Sequence, residues 1–210
     1  MVGLIPVIKR LRFLDGLAAA DPDPGVDAPD QARPARITVA TVLSQQSGPA
    51  PKHAAVVAEW FDDAAHLAQY EAWAGADPGP SVVAEEYVMR GAEWLDRRWR
   101  HGGQSYKHIA LATRAADLTP AEFADRWRNH AGRSGGVVIP DEARGQAYVQ
   151  NHPVQRATGE WVYDAVTEVW FDDLAGLQAR IDWFDENPPG DSGLFRQSWF
   201  LAVTEELVLR

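Results

Sequence analysis

The apolar and polar positions of this chain repeat themselves. Residues 53–73 and 163–183 align without gaps at an offset of 110, sharing Ala55/Ala165, Val56/Val166, Trp60/Trp170, Phe61/Phe171, Asp62/Asp172, Asp63/Asp173, Ala65/Ala175, Leu67/Leu177 and Trp73/Trp183. Each copy leads on to a strand-like segment, 82–90 and 202–210, at an offset of 120, which places ten extra loop residues in the second copy around 187–190. In that register Glu85-Glu86 matches Glu205-Glu206, and both pairs read as solvated strand edges that resist aggregation. Such duplication predicts two half-units that pack as a built-in dimer.

The second copy gives the clearer element pattern. Residues 106–114 read as a strand with apolar residues on both faces. A helix follows over 119–131, with Thr119 as N-cap, Pro120 at the first helical position and Glu122 closing a capping box. Phe123, Trp127 and His130 fall on one stripe of it. Strands are predicted over 145–152 and 161–171, a helix over 173–184 capped by Asp172 or Asp173, and a last strand over 197–209. The order β-α-β-β-α-β is the ferredoxin-like pattern. The expected fold is therefore α+β: two tandem ferredoxin-like repeats whose sheets pack face to face as an intramolecular dimeric α/β barrel.

The first copy matches only at its ends. Strands are expected at 4–10 and 36–43, but the prolines of DPDPGVDAP break the helix that belongs between them. Residues 1–90 thus read as a degenerate scaffold repeat, 91–105 as a linker that starts as a short helix, and 106–210 as the repeat that holds the working cavity.

Composition narrows the function classes. The chain has 210 residues and a formal net charge of −10, which argues against nucleic acid and anionic membranes as partners. No apolar run approaches the ~20 residues needed to span a bilayer. Basic residues follow rather than precede the N-terminal apolar stretch, the wrong order for a signal peptide, so a cytoplasmic location is expected. There is no cysteine to supply a thiol nucleophile or thiolate ligand. No metal-ligand spacing and no nucleotide-binding glycine motif is present, so neither metal nor cofactor is expected. The nine tryptophans suit a stacked core and an apolar pocket for an aromatic ligand.

Three separated motifs carry a family resemblance: LTPAEFADRWRNHA at 118–131, AYVQN at 147–151 and YDAVTEVWFD at 163–172. In this order they resemble the EthD family, a branch of the dimeric α/β-barrel superfamily. The second copy covers the whole pattern, whereas the first keeps only Trp60-Phe61-Asp62-Asp63 and the terminal strand, with Ala54 and Ala58 in place of Asp164 and Glu168. The resemblance implies a protein of xenobiotic degradation, or a dehydratase or cyclase of an aromatic polyketide pathway. It also implies a cavity between helix and sheet.

His130 is the first catalytic candidate, because an imidazole donates and accepts protons near neutral pH. A histidine in a last helical turn equally serves to cap carbonyls. Glu168 and Asp164 share a strand face with Val166 and Trp170; partial burial suits them to acid–base work or to orienting His130, and equally to a structural ion pair. Trp127, Trp170 and Phe123 are expected as apolar walls. Tyr148 and His108 are expected as substrate contacts, His108 above the small Ala110 and Ala112. Asn151 reads as a strand-end residue and His152 as part of a loop. The combined expectation is a cofactor-independent enzyme that dehydrates or cyclises an apolar aromatic or polyketide-like substrate. A cofactor-free oxygenase and a non-catalytic binding protein are the alternatives, and a homodimer of intramolecular barrels is compatible with each.

Overall fold

The computed structural model describes residues 7–16, 23–47, 51–75, 79–129, 133–134, 137–156, 159–188 and 193–209. In chain order the elements are β1 (Ile8–Leu14), α1 (Asp23–Val26), β2 (Arg36–Val42), β3 (Ala55–Phe61), α2 (Ala64–Ala74), β4 (Ser81–Arg90), α3 (Ala92–His101) and β5 (Ser105–Arg114). They continue with α4 (Pro120–Asn129), β6 (Arg133–Ser134), β7 (Val137–Val138), α5 (Asp141–Arg144), β8 (Ala147–Pro153), β9 (Ala165–Phe171), α6 (Leu174–Glu186) and β10 (Phe195–Leu209). All strands except the β6–β7 hairpin close into one antiparallel barrel in the order β1-β3-β2-β10-β5-β9-β8-β4.

This corrects the expected fold class. The chain is not an α/β barrel of two ferredoxin-like repeats; strand makes up 41% of the described residues against 29% helix. Two contacts account for the difference. β2 pairs edge to edge with β10, and β4 with β8, so the halves share one continuous hydrogen-bonded wall instead of stacking as two sheets. In the first half, the segment expected to carry a helix before β2 forms only the four-residue α1 among its described residues, its prolines having removed the donors a longer helix needs. The repeat survives as strand order, β4-β1-β3-β2 on one side and β10-β5-β9-β8 on the other.

Local sequence explains the pieces. Asp63 and Asp173, matched in the repeat, cap α2 and α6 by accepting from His66 N and Gly176 N, each at 2.8 Å. The Thr119–Glu122 capping box is formed at α4: Thr119 N and Oγ1 donate to Glu122 Oε2 at 2.9 and 2.7 Å. The first strand lies four residues later than the apolar run 4–10 suggests. In β1 the alternation of Lys9, Leu11 and Phe13 with Arg10 and Arg12 decides the placement. Leu11 and Phe13 enter the barrel core, while Arg10 turns outward to donate to Glu59 at 2.6 Å.

Strand pairing also revises the repeat register. Lys9 pairs with Ala84 in β1–β4, and Lys107 with Val203 in β5–β10, so Glu86 corresponds to Glu205 at an offset of 119. Both carboxylates point into the barrel and are not solvated edges. Lys9 meets Glu86 at 3.0 Å, and Lys107 pairs with Glu205. Trp60 Nε1 and Trp170 Nε1 donate to the same two glutamates at 3.0 and 2.9 Å. Each lysine lies over its tryptophan ring, 4.4 and 4.6 Å from the centroid. One end of the barrel is thus filled by two copies of a Lys–Glu–Trp unit, with α3 laid across it through Leu95 and Trp99.

Candidate functional site

The outer face of the second half-barrel gathers polar side chains under a helix. Along β8, Tyr148, Gln150 and His152 alternate outward while Val149 and Asn151 point into the barrel. α4 roofs this face with Phe123 and Trp127, whose rings stack 5.8 Å apart. The floor is made of small residues: Ala110, Ala112, Ala165 and Thr167 lie on the same face of β5 and β9, in register with Gln150. Trp127 and His152 rings sit 4.4 Å apart, and Tyr87 of β4 closes the far side at 5.0 Å.

A short hydrogen-bond chain fixes the protonation pattern here. The Gln150 side-chain amide donates to Tyr148 Oη at 2.9 Å and points toward the backbone carbonyl of Trp127 at 3.5 Å. A carbonyl can only accept, so the nitrogen end of this amide faces Trp127 and its oxygen faces His152. His152 Nε2, 2.9 Å from Gln150 Oε1, must then be the protonated nitrogen. The other nitrogen, Nδ1, carries a bare lone pair, is buried, and has no hydrogen-bond partner among the described residues. Burial and then the nearby Arg128 charge push the His152 pKa down to about 4, so the ring is neutral near pH 7. Burial pushes the Tyr148 hydroxyl up, against the opposing Gln150 bond and Arg180 charge, so it keeps its proton.

Arg180 of α6 extends the same face. Its Nε donates to His108 Nδ1 at 3.1 Å and its Nη1 to the Ala143 carbonyl at 3.0 Å. Burial, then the Arg180 charge, holds His108 well below the usual histidine range. His108 stacks on Phe200 at 4.9 Å.

The sequence-predicted residues do not form one constellation. Phe123, Trp127, Tyr148 and His108 do line the outer face, and His130 lies outside the described residues. Glu168 is fully buried on the opposite, inner side of the β9 wall. There it pairs with Lys9, accepts from Lys107 at 2.6 Å and accepts from Asn151 Nδ2 at 2.9 Å. Burial alone would raise its pKa; the two lysines outweigh that and bring it to about 2. It is a permanent anion inside the barrel and cannot orient a group on α4. Trp170 is buried in the same interior cluster and is no pocket wall. Asp164 pairs with Arg114 and accepts from the Arg114 backbone N–H at 2.9 Å, a structural tie at the start of β9. Asn151 serves the interior, and His152 belongs to a strand instead of a loop.

Gln150, His152 and Arg180 are the contributors the sequence reading missed. The i, i+2, i+4 spacing of Tyr148, Gln150 and His152 was the available signal, since a strand puts all three on one side. A solvent-open depression of about 450 Å³ lies elsewhere, beside the start of α6. Its Arg90 is committed to the carbonyls of Arg144 and Gly145, and its Asp173 to the helix cap. No family model and no curated protein matches this chain.

Proposed function

We propose that the chain is a cofactor-independent small-molecule enzyme that works by acid–base chemistry, dehydrating or cyclising an apolar aromatic or polyketide-like substrate. The observation that carries this reading is the bare Nδ1 of His152 inside an aromatic box. A buried lone pair without a partner costs stability, and a catalytic role is one of the things that offsets such a cost. His152 is neutral with a free Nδ1 lone pair and Tyr148 keeps its proton, one carboxamide away, which supports reading the first as base and the second as acid. In a dehydration, His152 Nδ1 takes the proton from the carbon next to a carbonyl. The C–H electron pair forms the new double bond, and the departing hydroxide takes the Tyr148 proton and leaves as water. His152 then gives the proton it took to water and Tyr148 takes one back from water, so both groups return to their starting forms. Phe123 and Trp127, packed on Ala112 and Ala165, give the site apolar walls that favour an apolar substrate.

The test is turnover of aromatic β-hydroxy ketones followed by mass spectrometry and an oxygen electrode. Loss of one water without oxygen uptake is expected, and His152→Ala is expected to lower kcat by about 10²–10⁴-fold, the usual weight of a general base. Oxygen consumption with a hydroxylated product, or full turnover by His152→Ala, would overturn the reading.

A further inference from the structure

The end of the barrel opposite α3 carries a second set of aligned groups. His53 and Tyr163 are the first residues of the two aligned repeat segments, and the structure brings them together: His53 Nε2 and Tyr163 Oη are 2.6 Å apart. His53 Nδ1 lies 3.1 Å from Asp15 Oδ1. A carboxylate only accepts, so Nδ1 carries the proton and Nε2 accepts from the Tyr163 hydroxyl. Tyr163 is 1% exposed and Asp15 side chain 82% exposed, so the three groups form a path from a buried phenol oxygen to solvent. Around this path, Phe13 meets the Tyr163 ring edge-on at 4.9 Å, and half-buried Trp199 meets it at 5.8 Å. The ammonium of exposed Lys52 lies 4.0 Å from the centre of the Trp199 ring and 5.9 Å from that of Tyr163. Thr113 Oγ1, buried on the inner face of the neighbouring strand β5, has no hydrogen-bond partner among the described residues.

We propose that this mouth of the barrel is a second site, which takes a phenol and ionises it. The ring of the ligand lies against Trp199, and its hydroxyl donates to Tyr163 Oη, whose own proton is already directed at His53. As the ligand O–H bond breaks, its proton goes to Tyr163 Oη while the former Tyr163 proton passes to His53 Nε2. The products are a phenolate and an imidazolium. Lys52 faces the first charge and Asp15 the second, and His53 returns its extra proton to water past Asp15. No oxidant or cofactor takes part. The arrangement follows the general logic of a proton acceptor oriented by a third, anionic group. Phenols suit this mouth better than apolar rings without a hydroxyl, because a cation and a buried hydroxyl both lie beside the Trp199 ring. The titratable groups facing His53 are Asp15, Lys52 and Tyr163. This site is separate from the outer face roofed by α4 and does not depend on its assignment.

The direct probe is 4-nitrophenol, whose phenolate absorbs in the visible and whose phenol does not. The full chain carrying His152→Ala is titrated with the dye at pH 6, so that the outer face holds no His152 base to shift the dye. Binding is expected to lower the dye's apparent pKa by about one unit, a tenfold increase in the phenolate-to-phenol ratio. Tyr163→Phe, which removes only one oxygen, is expected to keep the fold and lose the shift. Lys52→Gln is expected to weaken dye binding, and Lys52→Arg to restore it. An absence of binding, a bound dye with its ordinary pKa, or a shift that persists in Tyr163→Phe would each overturn the proposal. Thermal unfolding of each variant confirms that a lost signal is not a lost fold.

Discussion

Glu168 shows how much one side chain can decide. It has no counterpart in the first half, where Ala58 stands at the matching position, yet it bridges Lys9 from one half to Lys107 from the other. Both lysines are buried with it, and Arg36 faces Glu86 and Glu205 as well, so three cations meet three carboxylates and without Glu168 one positive charge is left over. Removing one member of a buried charge network leaves uncompensated charge, which typically costs about 3–5 kcal/mol. Glu168→Ala is therefore expected to lose stability on that scale in urea unfolding, while Lys107→Ala and Glu168→Ala combined cost less than their sum. An effect below about 1 kcal/mol would mean that the network is solvated, as surface pairs are. The sequence marks Glu168 as buried among Val166 and Trp170, but an acid flanked by apolar residues looks the same whether a base or a lysine awaits it. The partner is supplied by β1 and β5, far away in the chain, and that information is not local.

Single elements were legible where the physics is local. The caps of α2, α4 and α6 rest on residues within four positions of each other, and α4 begins at the Pro120 its sequence marks. β1 was misplaced because an apolar run outweighed a charged alternation whose meaning depends on Glu59 and Glu168. Gly91, between β4 and α3, is an element-scale constraint that composition hides. It has φ +81°, and a Cβ there would lie 2.2 Å from the Gln146 carbonyl oxygen. Both backbone strain and collision oppose any side chain. Gly91→Ala is expected to cost roughly 1–3 kcal/mol from the backbone conformation alone, with a further loss from the displaced start of β8. An unchanged melting temperature would show that α3 is not docked by this turn.

At the scale of the whole molecule, the repeat was readable as duplication but not as architecture. A pattern of strands and helices specifies faces, whereas the barrel closes through its edges, β2 on β10 and β4 on β8, and edge pairing leaves no periodic trace in sequence. Among the described residues, no helix is long and apolar enough to cross a membrane. The assembled barrel also sets a pH dependence. Burial lowers the pKa of His53, His108 and His152, each below the 6.5 of an unfolded histidine. The unfolded chain then binds more protons as the pH falls below about 6.5, so stability present above that value is lost on acidification. Glu168 adds a second loss, beginning below 4.5 and continuing toward its folded pKa of about 2. Melting temperature is expected to be flat above pH 7, to fall from about 6.5 downward, and to fall less steeply in His108→Gln. A profile that rises on acidification would contradict the neutral, buried histidines.

The outer site rests on one protonation pattern, and that pattern can be read without a substrate. Long-range proton–nitrogen NMR correlations report which nitrogen of each imidazole is protonated, and His152→Gln identifies the signal among the six histidines. In a titration from pH 8 to 3, His152 is expected to show Nε2 protonated and Nδ1 bare down to a midpoint near 4, and both nitrogens protonated below it. A proton on Nδ1 at neutral pH, or a midpoint near 6.5, would remove the base from the site and contradict the account.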